Sequence, residues 1–473
     1  MKSSILYLSL ILSVLSGCED DAETVESPQI TSFSPELGYE NDEVTIVGKN
    51  FSNTASENIV RFGSIQAEVL SATASQLVVL VPGGASDGSI SVRVGSASGS
   101  SEQEFIVLVD LEKEIKTAMT STDIPSLAIA VLDNGEVIYS KGFGHYDAAQ
   151  TKNTDENTLY LTSSISKLIV SIAVMQQVEL GKLSLDEDIG ELVGFDVRNP
   201  NFPDKIITVQ MVMEHGSSLS NPVGGEIIDE AFFAHKADSA IALHPIIEDA
   251  ITAESEIYNS GIWMNVEPGT FHKNSNYGIT LLAYMVEKLS GQHFNDYSKD
   301  HILNPMGMSS SSYYFPDIDQ SRYAAIYDGN GIPFEPFSLY FYPAGMLVTS
   351  TADWLKVLQM MMNNGSLEGV KILESSSVDA LLAIKYPPGN NLAYDSSIGL
   401  VWRQAAGSDG WLGHTGAGIG ITHVTEFNRD KNLGYVIFSN KSANGGVIGP
   451  GGSLYVKVHK WLGQIGLTEL NNN

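Results

Sequence analysis

Cysteine is all but missing: Cys18 is the single one in 473 residues. One thiol excludes a disulfide framework and any zinc site built on paired cysteines. Positive charge is also short, with 26 Lys plus Arg against 56 Asp plus Glu and a formal charge of −30. Such a surplus repels phosphate backbones and anionic surfaces, which argues against nucleic-acid binding and otherwise speaks to solubility. No apolar run after Leu15 has the length to cross a bilayer. What remains is an ordinary globular composition, 43% hydrophobic and 17% charged. A chain of this length divides into two or three domains. No residue pattern implies a metal or an organic cofactor.

The N-terminus explains the lone cysteine. Lys2 is followed by an apolar run, Ile5 to Leu15, and then by Leu15-Ser16-Gly17-Cys18. A positive start, a short greasy core and small residues before a cut describe an export signal. The ending resembles a bacterial lipobox, which implies that residues 1–17 are removed and that Cys18 becomes the lipidated first residue. Glu19, Asp20, Asp21 and Glu23 make residues 18–27 an acidic tether. The expected address is the cell envelope, with the protein anchored by lipid in the outer membrane.

From 28 to 109 the pattern is short alternating strands broken by Gly, Pro, Asn and Ser. Val44 to Val47, Gln76 to Val81 and Ser89 to Val94 read as period-two strands, and their spacing argues a small β-sandwich. Ile30-Thr31-Ser32-Phe33-Ser34-Pro35, Val44 to Phe51 and Val79-Leu80-Val81-Pro82 make it similar to an IPT/TIG immunoglobulin-like domain. That resemblance implies a spacer or a binding module, with an envelope or carbohydrate partner. The segment also holds a decoy, Gly84-Ala85-Ser86-Asp87-Gly88, which fits the G-x-S-x-G of a nucleophile elbow. An elbow needs a helix after its serine. Here Ser89 to Val94 alternates like a strand, so the glycines read as a hairpin turn.

From Asp110 to the end the texture changes. Asp110 to Met119 spaces Leu111, Ile115 and Met119 along one helical face. Ser126 to Leu132 and Glu136 to Ser140 are strands joined through Asp133-Asn134-Gly135, a hairpin signal. Ser164 to Leu180, Ile279 to Leu289 and Trp354 to Met362 read as helices, the last capped by Ser350. Late strands run from Ile419 to Phe427 and Leu433 to Ser439, before a last helix at Leu454 to Leu462. Strands at both ends with helices between them make residues 110–473 an α+β domain: an antiparallel sheet flanked by helices, with a helical subdomain.

The chemistry rests on three short segments. Ser164-Ile165-Ser166-Lys167 is an S-x-x-K at the start of a helix, so both side chains project from one face. A helix N-terminus favours negative charge on the serine, and a desolvated lysine can take its proton. The spelling alone is common, and on it alone an N-cap serine beside a solvated lysine is the better reading. Asn274-Ser275-Asn276 and Trp411-Leu412-Gly413-His414-Thr415-Gly416-Ala417 follow in order. S-x-x-K, a middle motif ending in Asn, and a late [K/H]-T-G resemble the serine β-lactamase and penicillin-binding-protein superfamily, in its class C β-lactamase, D-aminopeptidase and esterase branch. Gly142-Phe143-Gly144, Glu214-His215-Gly216-Ser217-Ser218 and Pro343-Ala344-Gly345-Met346 support it.

The resemblance implies a serine hydrolase working through an acyl-enzyme on an ester, amide or D-amino-acid peptide. It makes Ser164 the nucleophile and Lys167 its proton acceptor. Asn276 would bond the substrate amide or the lysine, the N–H groups of Ser164 and Ala417 would form the oxyanion hole, and His414 would line the cleft from an edge strand. Two departures stand out. Asn274 replaces the tyrosine that normally opens the middle motif, and an amide cannot titrate. His414 replaces a lysine and so removes a fixed positive charge, which shifts the expected substrate toward esters or amides. An impaired protein that binds cell-wall or peptide ligands is the alternative. The aromatic stretch Pro333 to Tyr342 reads equally as pocket wall or as core.

Overall fold

The computed structural model describes residues 26–221, 235–236, 242–327, 331–385, 396–405, 410–418, 420–441 and 447–467. The export signal, Cys18 and most of the tether lie outside them, as does Ile419. The chain forms two compact units that part between Asp110 and Leu111.

The first unit is a sandwich of nine strands: β1 Gln29–Ser34, β2 Leu37–Gly38, β3 Glu43–Lys49, β4 Asn58–Phe62, β5 Ile65–Gln66, β6 Val69–Thr73, β7 Gln76–Leu80, β8 Gly88–Val94 and β9 Ala97–Val107. One sheet runs β1-β3-β7-β6 and the other β2-β9-β8-β4-β5. Successive strand residues face opposite sides, so Val44, Ile46, Leu77 and Val79 meet Val60, Phe62, Ile90 and Val92 in a shared interior. Each is fully buried, a state worth about 1.5–3 kcal/mol per large apolar side chain. Strand β8 begins at Gly88, so no helix follows Ser86 and the elbow is ruled out. The glycines close no hairpin, because β7 and β8 lie in different sheets and this segment crosses between them.

The second unit is built on a seven-stranded antiparallel sheet. Its strands are β10 Ser126–Asp133, β11 Glu136–Gly144, β12 Ser396–Ile398, β13 Arg403–Ala405, β14 Leu412–Gly418, β15 Ile421–Asn428 and β16 Leu433–Ser439, in the order β11-β10-β16-β15-β14-β13-β12. Asn134 and Gly135 take positive φ between β10 and β11, which suits the predicted two-residue hairpin. Leu127, Ile129 and Val131 point to one face, where helices α1 Leu111–Thr122 and α5 Ser453–Leu462 cover them. Ala128, Ala130 and Leu132 point to the other, against a helical body built on α2 Lys167–Glu179, α3 Asn276–Ser290 and α4 Thr351–Met362.

In this second unit two expectations need correction. The α-helix begins at Lys167, and Ser163–Ser166 before it form a 3₁₀ turn. The hydroxyl of Ser166 accepts from the Leu347 N–H at 3.0 Å, and the Tyr313 hydroxyl donates to the Ser166 carbonyl at 2.9 Å. These outside partners hold the segment in a tighter winding than sequence spacing suggested. The second correction is that β14 is an inner strand, since β13 pairs with its first two residues. From His414 onward that flank is uncovered by β13, which is where the motif sits.

Candidate active site

A 3₁₀ turn has three residues per turn, so positions i and i+3 eclipse. Ser164 and Lys167 are therefore aligned more closely than an α-helix would place them. Lys167 Nζ lies 2.7 Å from Ser164 Oγ and donates to the Ala344 carbonyl at 2.8 Å. The lysine is 1% exposed. Burial holds its pKa well below the ordinary lysine value, and the nearby charge of Arg403 adds to that. An uncharged amine can keep one N–H on Ala344 and offer its lone pair to the serine hydroxyl. The alternative of a solvated lysine is thereby excluded.

Strand β14 reaches this turn because it is rich in glycine. A Cβ added at Gly416 would stand 2.3 Å from the Thr162 carbonyl oxygen, so no larger residue fits there. This contact brings Ala417 beside the serines, and Ser163 Oγ donates to the Ala417 carbonyl at 2.8 Å. In an extended strand one residue's N–H and C=O point to the same side. The Ala417 N–H therefore faces the turn, as an oxyanion hole requires.

The middle motif is clamped by Asn221, which sequence reasoning did not single out. Asn221 accepts from the Asn276 N–H at 2.7 Å and donates to the Asn274 carbonyl at 3.0 Å. Ser275 caps α3 by accepting from the Gly278 N–H at 3.0 Å. Asn274 and Asn276 then line one cavity of about 310 Å³ together with Ser164 and Ala417. Phe337, Leu339 and Phe341 line it as well, so the undecided aromatic stretch contributes pocket wall. No formally charged side chain is among the described lining residues.

His414 lies behind this lining and not in it. Its Nδ1 is 2.6 Å from the Thr415 carbonyl, which can only accept, so Nδ1 carries the proton. Its Nε2 is then a lone pair, buried and without a hydrogen-bond partner among the described residues. His215 is the complement. The Ser275 N–H approaches its Nδ1 at 3.4 Å, which leaves Nε2 as a buried donor, also without a partner there. Burial, Arg403 and Lys167 press both rings well below the usual histidine value. The Asn276 Oδ1 is a third buried atom lacking a partner among the described residues.

Arg403 is the other residue missed. It stands opposite Gly413 in the β13–β14 ladder and its Nη2 donates to Asn274 Oδ1 at 3.2 Å. A guanidinium on the neighbouring strand thus stands behind the cavity lining, bonded to Asn274. Only strand pairing brings it there, and no sequence signal marks it. The turn before the site is held by structural partners: Glu214 bonds Lys385 at 2.9 Å and Gln210 at 2.7 Å. Among the described residues no group of three or more His, Cys, Asp or Glu could hold a metal ion, and no helix is long and apolar enough to cross a membrane.

The same division appears in comparisons with known proteins. A family model described as Beta-lactamase matches residues 111–448, and one described as IPT/TIG domain matches 28–107. The putative penicillin-binding protein PbpX of Bacillus subtilis is 24% identical over 357 residues, covering 74% of this chain and 79% of that protein. The D-alanine carboxypeptidase AmpC from Burkholderia cenocepacia superposes with a TM-score of 0.56 at 19% identity, over 75% of this chain and 97% of the other. A class C beta-lactamase gives a TM-score of 0.58 at 20% identity, over 74% and 94%. At these identities the structural likeness is one of fold.

Proposed function

The chain belongs to the beta-lactamase family of serine hydrolases, with an IPT/TIG domain ahead of it, and from that premise we propose an esterase-like acyl-enzyme mechanism at Ser164. The observation that carries this reading is the 2.7 Å contact between Ser164 Oγ and a buried lysine depressed toward its amine form. The serine hydroxyl gives its proton to Lys167 Nζ as Oγ attacks the substrate carbonyl. The Ser164 and Ala417 N–H groups stabilise the oxyanion, usually the largest single catalytic contribution. Lys167 returns the proton to the departing alcohol or amine. Water then attacks the acyl carbon, losing its proton to Lys167, which passes it to Oγ as Ser164 is released with the free acid. Asn276 orients the substrate amide or the lysine.

The cavity wall of Phe337, Leu339 and Phe341 favours an apolar, uncharged acyl group. Esters and amides fit it better than D-amino-acid peptides, whose carboxylate finds no cation among the described lining residues. Intact mass spectrometry after p-nitrophenyl acetate tests the reading. One acetyl group on Ser164 is expected, and an adduct on Ser86, or none, would overturn it. The second reading, a binding protein with impaired turnover, is favoured by Asn274 alone.

The setting is part of the proposal. The Lys2 to Cys18 pattern supports a lipid anchor in the envelope, with the IPT/TIG domain as spacer or as binder of an envelope or carbohydrate partner. Cys18→Ala should leave the membrane fraction or accumulate as precursor. Unchanged partitioning would sink that reading.

A further inference from the structure

Arg403 shares its site with three groups that all have reason to stay uncharged. Lys167 and His215 are 1% exposed and His414 is 4% exposed, whereas the arginine is half-buried. A guanidinium stays protonated at every accessible pH, so it acts as a fixed charge. A like charge nearby disfavours protonation of its neighbours. After burial, Arg403 is the next cause that holds Lys167, His215 and His414 below their ordinary values. The other titratable groups here are His272, which adds to the same effect on His215, and Glu214, whose carboxylate is already bonded to Lys385.

The geometry also gives Arg403 a contact of its own. Its Nη2 reaches Asn274 Oδ1 at 3.2 Å, at the position where the family's motif carries a tyrosine. Asn274 is in turn held from its backbone side by Asn221. An amide at this place cannot move protons, but it can be aimed.

We infer that Arg403 is a positioning residue of the proposed reaction: its guanidinium orients Asn274 in the cavity wall and supplies the fixed positive charge of a site that also buries Lys167, His215 and His414. The kinetic half rests on the Ser164 acyl-enzyme reading. The charge on Lys167 is measurable without turnover.

Lysine labelled with ¹³C at Cε and titrated by NMR reads that charge, with the Lys167 resonance assigned by its loss in Lys167→Met. Arg403→Gln should move the Lys167 midpoint to higher pH. Arg403→Lys and Asn274→Ala keep a positive charge in place and should leave it depressed. Acylation by p-nitrophenyl acetate in Arg403→Gln should fall roughly tenfold at pH 7 and recover at alkaline pH, which lost packing alone would not produce. Arg403→Met serves if the glutamine variant does not fold. An unmoved Lys167 midpoint in either folded neutral variant overturns the inference. An upward midpoint in a protein whose Ser164 never acylates would instead remove the acyl-enzyme reading and leave the charge assignment standing.

Discussion

Ser86 and Ser164 both sit in sequences that spell a nucleophile, and the two surroundings differ in every physical respect. Ser86 is exposed in a turn whose flanking glycines, Gly84 and Gly88, take positive φ. Its neighbour Asp87 is used up as a tie, accepting from the Val107 N–H at 2.8 Å. The sandwich interior beneath is apolar, and its buried polar residues Asn58 and Ser101 are both hydrogen-bonded. Ser164 instead sits over an interior that holds a buried lysine and two buried histidines with partnerless nitrogens among the described residues. A serine becomes a candidate nucleophile through a desolvated partner at hydrogen-bond distance, and the tetrapeptide only permits it.

The sharpest way to break this comparison is to remove that partner. Lys167→Ala should cost acylation of Ser164 about 10²–10⁴-fold, the usual share of a positioned proton acceptor. Stopped-flow release of p-nitrophenol checks it, and full acylation in the variant would refute the assigned base. Next in size are the two departures from the family's motif. His414→Ala, which empties a buried position behind the lining, should slow acyl-enzyme hydrolysis by no more than about tenfold, with kcat falling more than KM rises. Asn274→Tyr should raise turnover; a silent variant beside an inert parent would favour the binding-protein reading. Pre-steady-state and steady-state kinetics on the pair separate these outcomes.

A smaller effect concerns stability. His423 is buried and held down to about 4, chiefly by desolvation. Its Nε2 faces the Leu161 carbonyl at 2.8 Å while its Nδ1 accepts from the Ser439 N–H at 3.1 Å, an arrangement only the neutral ring can make. Between about 4 and the free histidine value of about 6.5 the unfolded chain binds a proton that the folded chain refuses. Stability therefore rises with pH through that window and is lost as pH falls toward 4. Melting curves from pH 7 to pH 4 should show a falling Tm, with a smaller fall in His423→Gln. The least effect belongs to the decoy: Ser86→Ala should change stability by no more than about 0.5 kcal/mol and leave acylation untouched. Any loss of labelling there would undo the comparison outright.

Periodicity made most of the frame legible. Alternation marked β3, β7 and β8, the Asn134-Gly135 turn marked the β10–β11 hairpin, and Ser350 marked the start of α4, where it accepts from the Asp353 N–H at 3.1 Å. These are local signals, because a strand's faces, a turn's φ and a helix's cap are set within a few residues. The 3₁₀ winding at Ser163–Ser166 escaped because its partners, Leu347 and Tyr313, lie far along the chain. His414 was assigned to the cleft from its place in a motif, and the fold sets it behind the lining with its lone pair turned into the buried cluster.

The order of Ser164, Lys167, Asn274, Asn276, His414 and Ala417 along the chain was enough to identify the family, and all of these but His414 meet at the cavity or at Ser164 itself. It also exposed the two substitutions, since a missing tyrosine and a missing lysine are visible in one dimension. What replaces them is not. Arg403 reaches Asn274 because β13 pairs with β14, and Asn221 clamps the middle motif from a different turn. Lys167 is pressed toward its amine form only when the core closes over it. Charge, desolvation and hydrogen-bond partners are properties of position in space, and only the tertiary structure decided them.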